Sequence, residues 1–363
     1  MKKYSLGVVI GRFQPVHQGH IENILVPALE QCDRVLVTLG SCHKPRTIKN
    51  PFTAIQREGM ILEALRSHYD YPQRAEFTSL SFRDARDFPY DNNRWRAQIL
   101  RFAHEFEDND SKIALFGAEK DHSSFYLKFF PLWALVEPEG LGNGYSSTVI
   151  REYFFSDSFK MDALHAPADL FTKNMVNRGL PSCNIVTLSN WVFTEEGKRL
   201  KTEYDHIKKY KAQFESYPYP PIFHTVDNVV LYNGHILLVQ RGAMPGKGLW
   251  ALPGGFLNAN EWAFQGAMRE LAEETGLKPK PEWYNPEPKT FDHPGRSLRG
   301  RTITTAFLCV VPSRFPAPSV KGMDDADRAS WIPMDRVLGD SPAYSNIMFE
   351  DHIDIIREMV ERA

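Results

Sequence analysis

The sequence predicts an α/β protein of two domains in series, on three observations. The chain opens on a short apolar run, Tyr4–Ile10, that ends at Gly11 and feeds a helical pattern; a second strand, Arg34–Leu39, follows at β–α–β spacing. Near the middle, Tyr217–Pro221 places three prolines in four positions, which neither a helix nor a central strand can continue. Beyond it, Thr225–Tyr232 and His235–Arg241 alternate around Asn233-Gly234, a strong two-residue hairpin signal, and a glycine loop then enters an acidic helix. The domains expected are residues 1–216 and 222–363, joined by a proline linker at 217–221.

The bulk numbers agree with this plan. A chain of 363 residues suits two domains, and 42% hydrophobic with 24% charged residues is ordinary for a soluble globular protein. A net charge of −2 supplies no whole-chain field to hold nucleic acid. Cys32, Cys42, Cys183 and Cys309 are scattered without metal-ligand spacing and read as thiols in a reducing compartment. No stretch approaches the roughly 18 apolar residues of a membrane span. The expectation is a cytoplasmic protein with no nucleic-acid or membrane partner, its oligomeric state left open. There is no internal repeat and no low-complexity segment.

After the first strand comes Gly11-Arg12-Phe13-Gln14-Pro15-Val16-His17-Gln18-Gly19-His20, then apolar positions Ile21, Ile24, Leu25, Ala28 and Leu29 at helical spacing. His17 and His20 stand at i, i+3 where the helix begins, beside backbone N–H groups without helical partners, a natural phosphate site. Gly19 lets a nucleotide approach the backbone. Two surface histidines at a helix start are the plain alternative. Lys44–Thr53 is a loop with three cations ahead of a helix from about Ala54 to His68. Arg46 is a candidate phosphate contact, while Lys44 and Lys49 read equally well as solvated. Asn92, Asn93 and Trp95 stand ahead of another helix, and the strand Ile113–Gly117 brings Gly117 and the polar residues after it to a strand's carboxyl edge. After a loop with Gly140, Gly142 and Gly144, Ser146, Ser147 and Thr148 open a helix that projects Arg151 one turn later. Gly179–Pro181 looks like a domain end, but Asn190–Tyr217 reads as one long amphipathic helix packing back on the first domain.

The decapeptide resembles the H-x-G-H signature of the nucleotidylyltransferase superfamily. Its G-R-F-Q-P opening narrows the likeness to nicotinamide mononucleotide (NMN) adenylyltransferases, and Ser146–Arg151 matches the superfamily's S-S-T-x-I-R element. The resemblance implies a doubly wound, Rossmann-like domain with ATP and NMN as substrates and NAD as product. His17, His20 and Arg151 would serve catalysis. Gly11, Arg12, Phe13, Gly19, Arg46 and Gly117 would line the substrates, and Ser146, Ser147 and Thr148 would close the triphosphate site. Trp95 would stack on nicotinamide, with Asn92 or Asn93 bonding its amide. A pantetheine-phosphate acceptor is the alternative, disfavoured by the Asn92–Trp95 region and the G-R-F-Q-P form.

The second domain centres on Gly255–Leu277. A helix is expected from near Asn260, as N-cap, to Gly276. Glu270, Glu273 and Glu274 at i, i+3 and i+4 share one face, where like charges cost roughly 0.2–0.5 kcal/mol per i,i+4 pair and no basic residue offsets them. Hard divalent cations seek carboxylate oxygens and accept phosphates as further ligands, which points to Mg²⁺, with Mn²⁺ possible, and a diphosphate. A solvated acidic face is the plain alternative. The spacing G-x5-E-x7-R-E-U-x-E-E-x-G-U, with U apolar, is that of the Nudix hydrolases, which this region resembles. The resemblance implies an α/β/α sandwich with Glu270 and Glu274 as metal ligands, Glu273 as ligand or base, and Arg269 orienting the carboxylates. Arg296, Arg299 and Arg301, just before an expected strand Thr302–Val311, resemble the R-x-x-R-G-R stretch of ADP-ribose pyrophosphatases, which implies substrate contacts and ADP-ribose. Asp325 is the candidate for a supplementary metal ligand or base, although Asp324 and Asp327 compete with it. Tyr344–Val360 looks helical. The order of the two halves resembles bifunctional bacterial NMN adenylyltransferase/Nudix proteins. A sensor of NAD metabolites is the alternative class, against which the complete set of carboxylates speaks.

Overall fold

The computed structural model describes residues 2–70, 77–107, 111–117, 122–138, 144–159, 162, 166–339 and 344–362. They part into two compact units, Met1–Lys201 and Thr202–Ala363.

The first unit is a parallel sheet of five strands in the order β3-β2-β1-β4-β5: β1 (Tyr4–Gly11), β2 (Cys32–Leu39), β3 (Leu80–Asp84), β4 (Ile113–Phe116) and β5 (Ala134–Val136). The strand order reverses beside β1, so the carboxyl ends of β1 and β4 frame a crevice of the kind where doubly wound sheets bind ligands. Leu6, Val8, Leu36 and Leu115 are buried because both faces of the sheet are covered. The turn after β1 begins α1 (Gln18–His20), continues as a π-helical turn at Ile21–Leu25 and regains α geometry in α2 (Val26–Gln31). Thr53 caps α3 (Ala54–His68), its hydroxyl accepting from Gln56 N–H while Gln56 Oε1 accepts from Thr53 N–H. Asp91 caps α4 (Asn92–His104), so Asn92, Asn93 and Trp95 lie in that helix's first turn rather than ahead of it. Ser146 caps α5 (Ser147–Phe154), and α6 (Ala168–Asn177) follows.

The expected long helix Asn190–Tyr217 is two helices, α7 (Ile185–Val192) and α8 (Glu195–Ala212). Thr194 divides them: its hydroxyl donates to Trp191 O at 2.6 Å and accepts from Gly197 N–H at 3.1 Å, ending one helix and capping the next. At the start of α8 the packing back on the first unit is seen in Arg199 donating to Arg46 O and Lys201 pairing with Asp157. Tyr217–Pro220 is exposed, Pro221 is half-buried, and the segment lies in neither a helix nor a strand.

The second unit holds a mixed sheet. β6 (Ile222–Tyr232) and β7 (His235–Arg241) form the expected hairpin, with Asn233 at φ 44° and Gly234 at φ 73°, the two left-handed residues that its tight turn requires. The main path is β10-β11-β6-β7-β12, with β10 (Lys289–Phe291), β11 (Arg301–Val310) and β12 (Ala326–Pro333); β8 (Trp250–Ala251) pairs with β7, and β9 (Gly254–Phe256) with β6. The box helix, α9 (Ala263–Thr275), ends as expected at Gly276 in the left-handed region but starts three residues past Asn260. Glu261 Oε1 accepts from Asn258 N–H and holds the preceding turn closed, so Trp262 becomes the N-cap, its N–H bound to Gln265 Oε1. The expected C-terminal helix is shorter as well: α10 spans Met334–Leu338, and α11 spans His352–Val360. Phe349 N–H donates to Trp250 O and Glu350 turns at φ 44°, which draws the chain before His352 away from helical geometry. The four cysteines are free, and no described helix is long and apolar enough to cross a membrane.

Candidate functional site

Each unit carries its own cluster. In the first, His17 and His20 cap each other: His17 Nδ1 accepts from His20 N–H at 3.3 Å, and His20 Nδ1 accepts from His17 N–H at 3.2 Å. With both Nδ1 atoms accepting, each neutral ring keeps its proton on Nε2. The rings stack at 3.6 Å, so two parallel N–H donors come from one short turn. Phe13, 2% exposed, lies beneath with its ring edge-on to His20 at 4.9 Å. A Cβ on Gly11 would reach that ring at 2.8 Å, and Gly19 packs beside His17. The α5 turn closes on the same segment: Ser147 Oγ donates to Pro15 O at 2.9 Å, and Arg151 donates to Gln14 O and, at 3.0 Å, to Thr148 Oγ1. Gln14 in turn exchanges two 2.9 Å bonds with the backbone of Phe52.

Cations converge here. Burial pulls the Arg151 guanidinium down to about 10, and the nearby Arg12 pulls the same way. Lys49 is lowered to about 8, first by burial and then by Arg12, Lys44 and Arg151. Asp87 tempers the cluster, 3.6 Å from Lys44 and held by Ser41. Four cations raising one another's cost is an arrangement that an anionic ligand relieves. Arg46 stands elsewhere, donating to Gln56 at 3.3 Å, so the loop sends Lys49 to the cluster rather than Arg46. Trp95 is half-buried among Tyr126, Phe129 and Phe130, with centroids 5.8–6.2 Å away; Asn92 and Asn93 are exposed. Gly117 follows β4 directly, its N–H bound to Val136 O; the polar residues expected at 118–121, like Gly140 and Gly142, lie outside the described residues.

In the second unit, β9 delivers the box loop against α9. Glu274, 7% exposed, accepts from Gly254 N–H at 2.9 Å. Gly255 is bare where a Cβ would come within 2.4 Å of Glu270 Oε1. Burial pushes the Glu274 carboxyl up to about 8 despite the Gly254 bond, and Glu270 adds to the rise. Glu270 is raised by the same two causes, burial and a neighbouring carboxylate, here Glu273, against the pull of Arg269. Contrary to the expectation of an unopposed acidic face, Arg269 bridges it: Nη1 donates to Glu270 and Glu273 at 2.9 Å each, while Nε and Nη2 hold Glu261. The acidic loop is pinned to the end of α9 by Met323 N–H on Glu274 O and Lys321 N–H on Thr275 O. Within it Asp325 is exposed, and its charge, like that of Glu274, bears on Arg241.

The three arginines of the 292–301 loop have different surroundings. Arg296 is buried, bidentate to Asp351 at 2.9 and 3.0 Å and 3.9 Å from Asp227. Arg301 opens β11 and holds Asp292. Arg299 lies over the rings of Phe256 and Phe349, at 5.1 and 5.9 Å. Arg241, at the end of β7, covers Phe349 at 4.1 Å, which places two guanidinium groups on one ring beside the box.

Two family models match the chain, a cytidylyltransferase-like one over residues 8–153 and a NUDIX domain over residues 223–350. A nicotinamide/nicotinic acid mononucleotide adenylyltransferase from Acinetobacter baylyi is 36% identical over 155 residues, 43% of this chain and 78% of the relative. An ADP-ribose pyrophosphatase from Methanocaldococcus jannaschii is 32% identical over 131 residues, 36% of this chain and 70% of the relative. The crystal structure of a bifunctional NMN adenylyltransferase/ADP ribose pyrophosphatase from Francisella tularensis is 32% identical, with a TM-score of 0.85 over 99% of both chains. The chain belongs to that bifunctional family.

Nudix hydrolases need a divalent metal, and this site fits one: Glu274 is a buried carboxylate whose ionised form lacks a neighbouring cation strong enough to keep its pKa low, and Glu270 stands beside it. Both are oxygen donors suited to a hard cation. Among the described residues no three such side chains already converge as a cage, and Arg269 holds Glu270 and Glu273. A second structure of the Francisella tularensis protein holds AMP and a manganese ion. Among residues of this bifunctional chain, sequence reading left Lys49 undecided and missed Arg241. A lysine in a basic loop carries no mark of burial, and Arg241 reads as the polar end of an alternating strand.

Proposed function

We propose that the first unit transfers the adenylyl group of ATP to NMN, giving NAD and diphosphate, and that the second hydrolyses ADP-ribose to AMP and ribose 5-phosphate. The whole-length likeness to the Francisella tularensis bifunctional protein carries the reading, with the cation-and-histidine cluster and the box carboxylates as its chemical support.

In the first reaction an NMN phosphate oxygen attacks the α-phosphorus of ATP as the bond to the β-phosphate bridging oxygen breaks in line. The nucleophile is already an anion, so no general base is required, and catalysis is positioning and charge neutralisation. The Nε2–H groups of His17 and His20 donate to phosphate oxygens, and Arg12, Lys49 and Arg151 offset charge on the departing diphosphate. Ser147 and Arg151 hold the α5 turn on the Pro15 and Gln14 carbonyls, with Ser146 as its cap and Thr148 steadying Arg151, so that Ser146, Ser147 and Thr148 close the triphosphate site; Trp95 offers its ring to nicotinamide beside Asn92 or Asn93.

In the second reaction water adds to one phosphorus of ADP-ribose and the bridging P–O bond breaks. Glu270 and Glu274 would hold Mg²⁺ or Mn²⁺, which supplies Lewis-acid polarisation and lowers the pKa of bound water. Arg269 keeps Glu270 and Glu273 on one face, Glu273 or Asp325 receives the proton, and Arg299 contacts the nucleotide. The substrates are small nucleotides, and the setting is the cytoplasm.

Separate incubations with NMN plus ATP and with ADP-ribose, each with Mg²⁺, followed by product chromatography, test both halves. NAD in the first and AMP with ribose 5-phosphate in the second are expected. Dephospho-coenzyme A from ATP and pantetheine phosphate, without NAD from NMN, would replace the first assignment. Binding of ADP-ribose without turnover would make the second unit a sensor.

A further inference from the structure

Beneath the cation cluster lies a charge that the proposed chemistry leaves unused. Arg57, on the inner face of α3, is 1% exposed. Its Nη1 donates to the carbonyls of Arg12 and Gly40, both at 2.7 Å, its Nη2 to Cys42 Sγ at 3.0 Å and its Nε to Thr53 O at 3.3 Å. None of the four acceptors carries a charge, and no described acid forms an ion pair with this guanidinium. A buried cation is costly without a counter-charge, and the acid Asp84 reaches this one only through the Cys42 thiol they share. Those bonds tie together three segments: the turn leaving β1, the turn leaving β2 and the cap of α3. The Arg12 carbonyl belongs to the residue whose guanidinium joins Lys49 and Arg151 above, and Arg57 and Arg12 repel one another.

We propose that Arg57 is a positioning residue for adenylyl transfer, clamping the Arg12 and Gly40 carbonyls so that Arg12 faces the polyphosphate, whose negative charge offsets the repulsion between Arg12 and Arg57. The inference rests on the adenylyl-transfer reading for its substrate, but its ligand class is broader, an inorganic or nucleoside polyphosphate. The fork of Arg reaches four acceptors at fixed angles, whereas the single ammonium of Lys keeps the charge and loses the fork.

The test uses the full chain, so that hydrolysis by the second unit normalises the amount of intact chain while the first unit's melting transition reports its folding. R57Q and R57K are compared with the unaltered chain for kcat, for KM of ATP and of NMN, and for the thermal shift of the first unit produced by inorganic diphosphate. Both variants should lose about 10- to 100-fold in kcat/KM for ATP, with KM for NMN changing by less than about threefold and ADP-ribose hydrolysis unchanged. The diphosphate shift should shrink in R57K and vanish in R57Q. An R57K chain with the original kcat and KM for ATP would overturn the clamp. Equal losses for ATP and NMN, or loss of the first unit's melting transition in both variants, would reduce Arg57 to a fold residue. If the unaltered chain makes no NAD, the activity assignment fails, while the diphosphate shift still judges Arg57.

Discussion

The two sites meet the same kind of group, a phosphoric anhydride, with side chains of opposite charge. The first collects Arg12, Lys44, Lys49 and Arg151 around two stacked histidines, so the protein itself carries the positive charge. The second buries Glu274 beside Glu270 and keeps a guanidinium, Arg269, on the outer side of the same face. A site rich in cations can bind the anion directly. A face of carboxylates needs a cation between itself and the anion, even with Arg241 and Arg299 near the ring of Phe349. On the proposed reading, metal dependence in the second unit would come from its own carboxylates, whereas in the first a metal need only accompany the nucleotide.

The largest expected effect separates arginines that face substrate from one that faces protein. Arg296→Ala leaves Asp351 buried beside Asp227 without its bidentate partner, and should cost the second unit about 3–5 kcal/mol of stability. Thermal unfolding followed with the two activities checks this. A folded variant of full stability that has lost only affinity for ADP-ribose would make Arg296 a substrate contact instead.

Exchanging the two activities is the next test. Glu274→Gln should lower ADP-ribose hydrolysis by about 10²–10³ and spare NAD synthesis, and His20→Ala should do the reverse. The contrast between the sites collapses if either soluble variant loses both activities.

The pH response follows from Glu274, whose carboxyl is raised to about 8 from the ordinary 4.5. A raised carboxyl contributes stability that is fully present below its unfolded value and is lost as pH rises through the folded one. The metal-free second unit should therefore lose stability between about pH 5 and 8. Mg²⁺ must displace that proton, so its apparent affinity should rise up to about tenfold per pH unit until near pH 8. Titration calorimetry in buffers of different ionisation heat reads the proton released, and a pH-independent affinity would remove Glu274 as the ligand.

The smallest effect concerns Trp95. Trp95→Ala should raise KM for NMN several-fold, as expected for about 0.5–1.5 kcal/mol of ring stacking, with KM for ATP little changed. Equal weakening of both substrates would assign the ring to its contacts with Tyr126 and Phe130 alone.

What could be read from the sequence was local. The His17–His20 spacing, the Asn233-Gly234 turn, the α3 span Ala54–His68 and the carboxylates on one face of α9 each depend on residues a few positions apart, where backbone geometry fixes the outcome. Even there, side-chain capping shifted the ends: Thr194 cut one expected helix in two, and the Glu261 turn moved the start of α9. Tertiary structure alone decided which charges meet. Lys49 rather than Arg46 joins Arg12 and Arg151; Arg296 finds Asp351, 55 residues away; Arg241 and Arg299 share the ring of Phe349. A charged side chain on a loop has no periodicity to announce its partner. Its role is set by the burial and the neighbours that the folded chain brings to it.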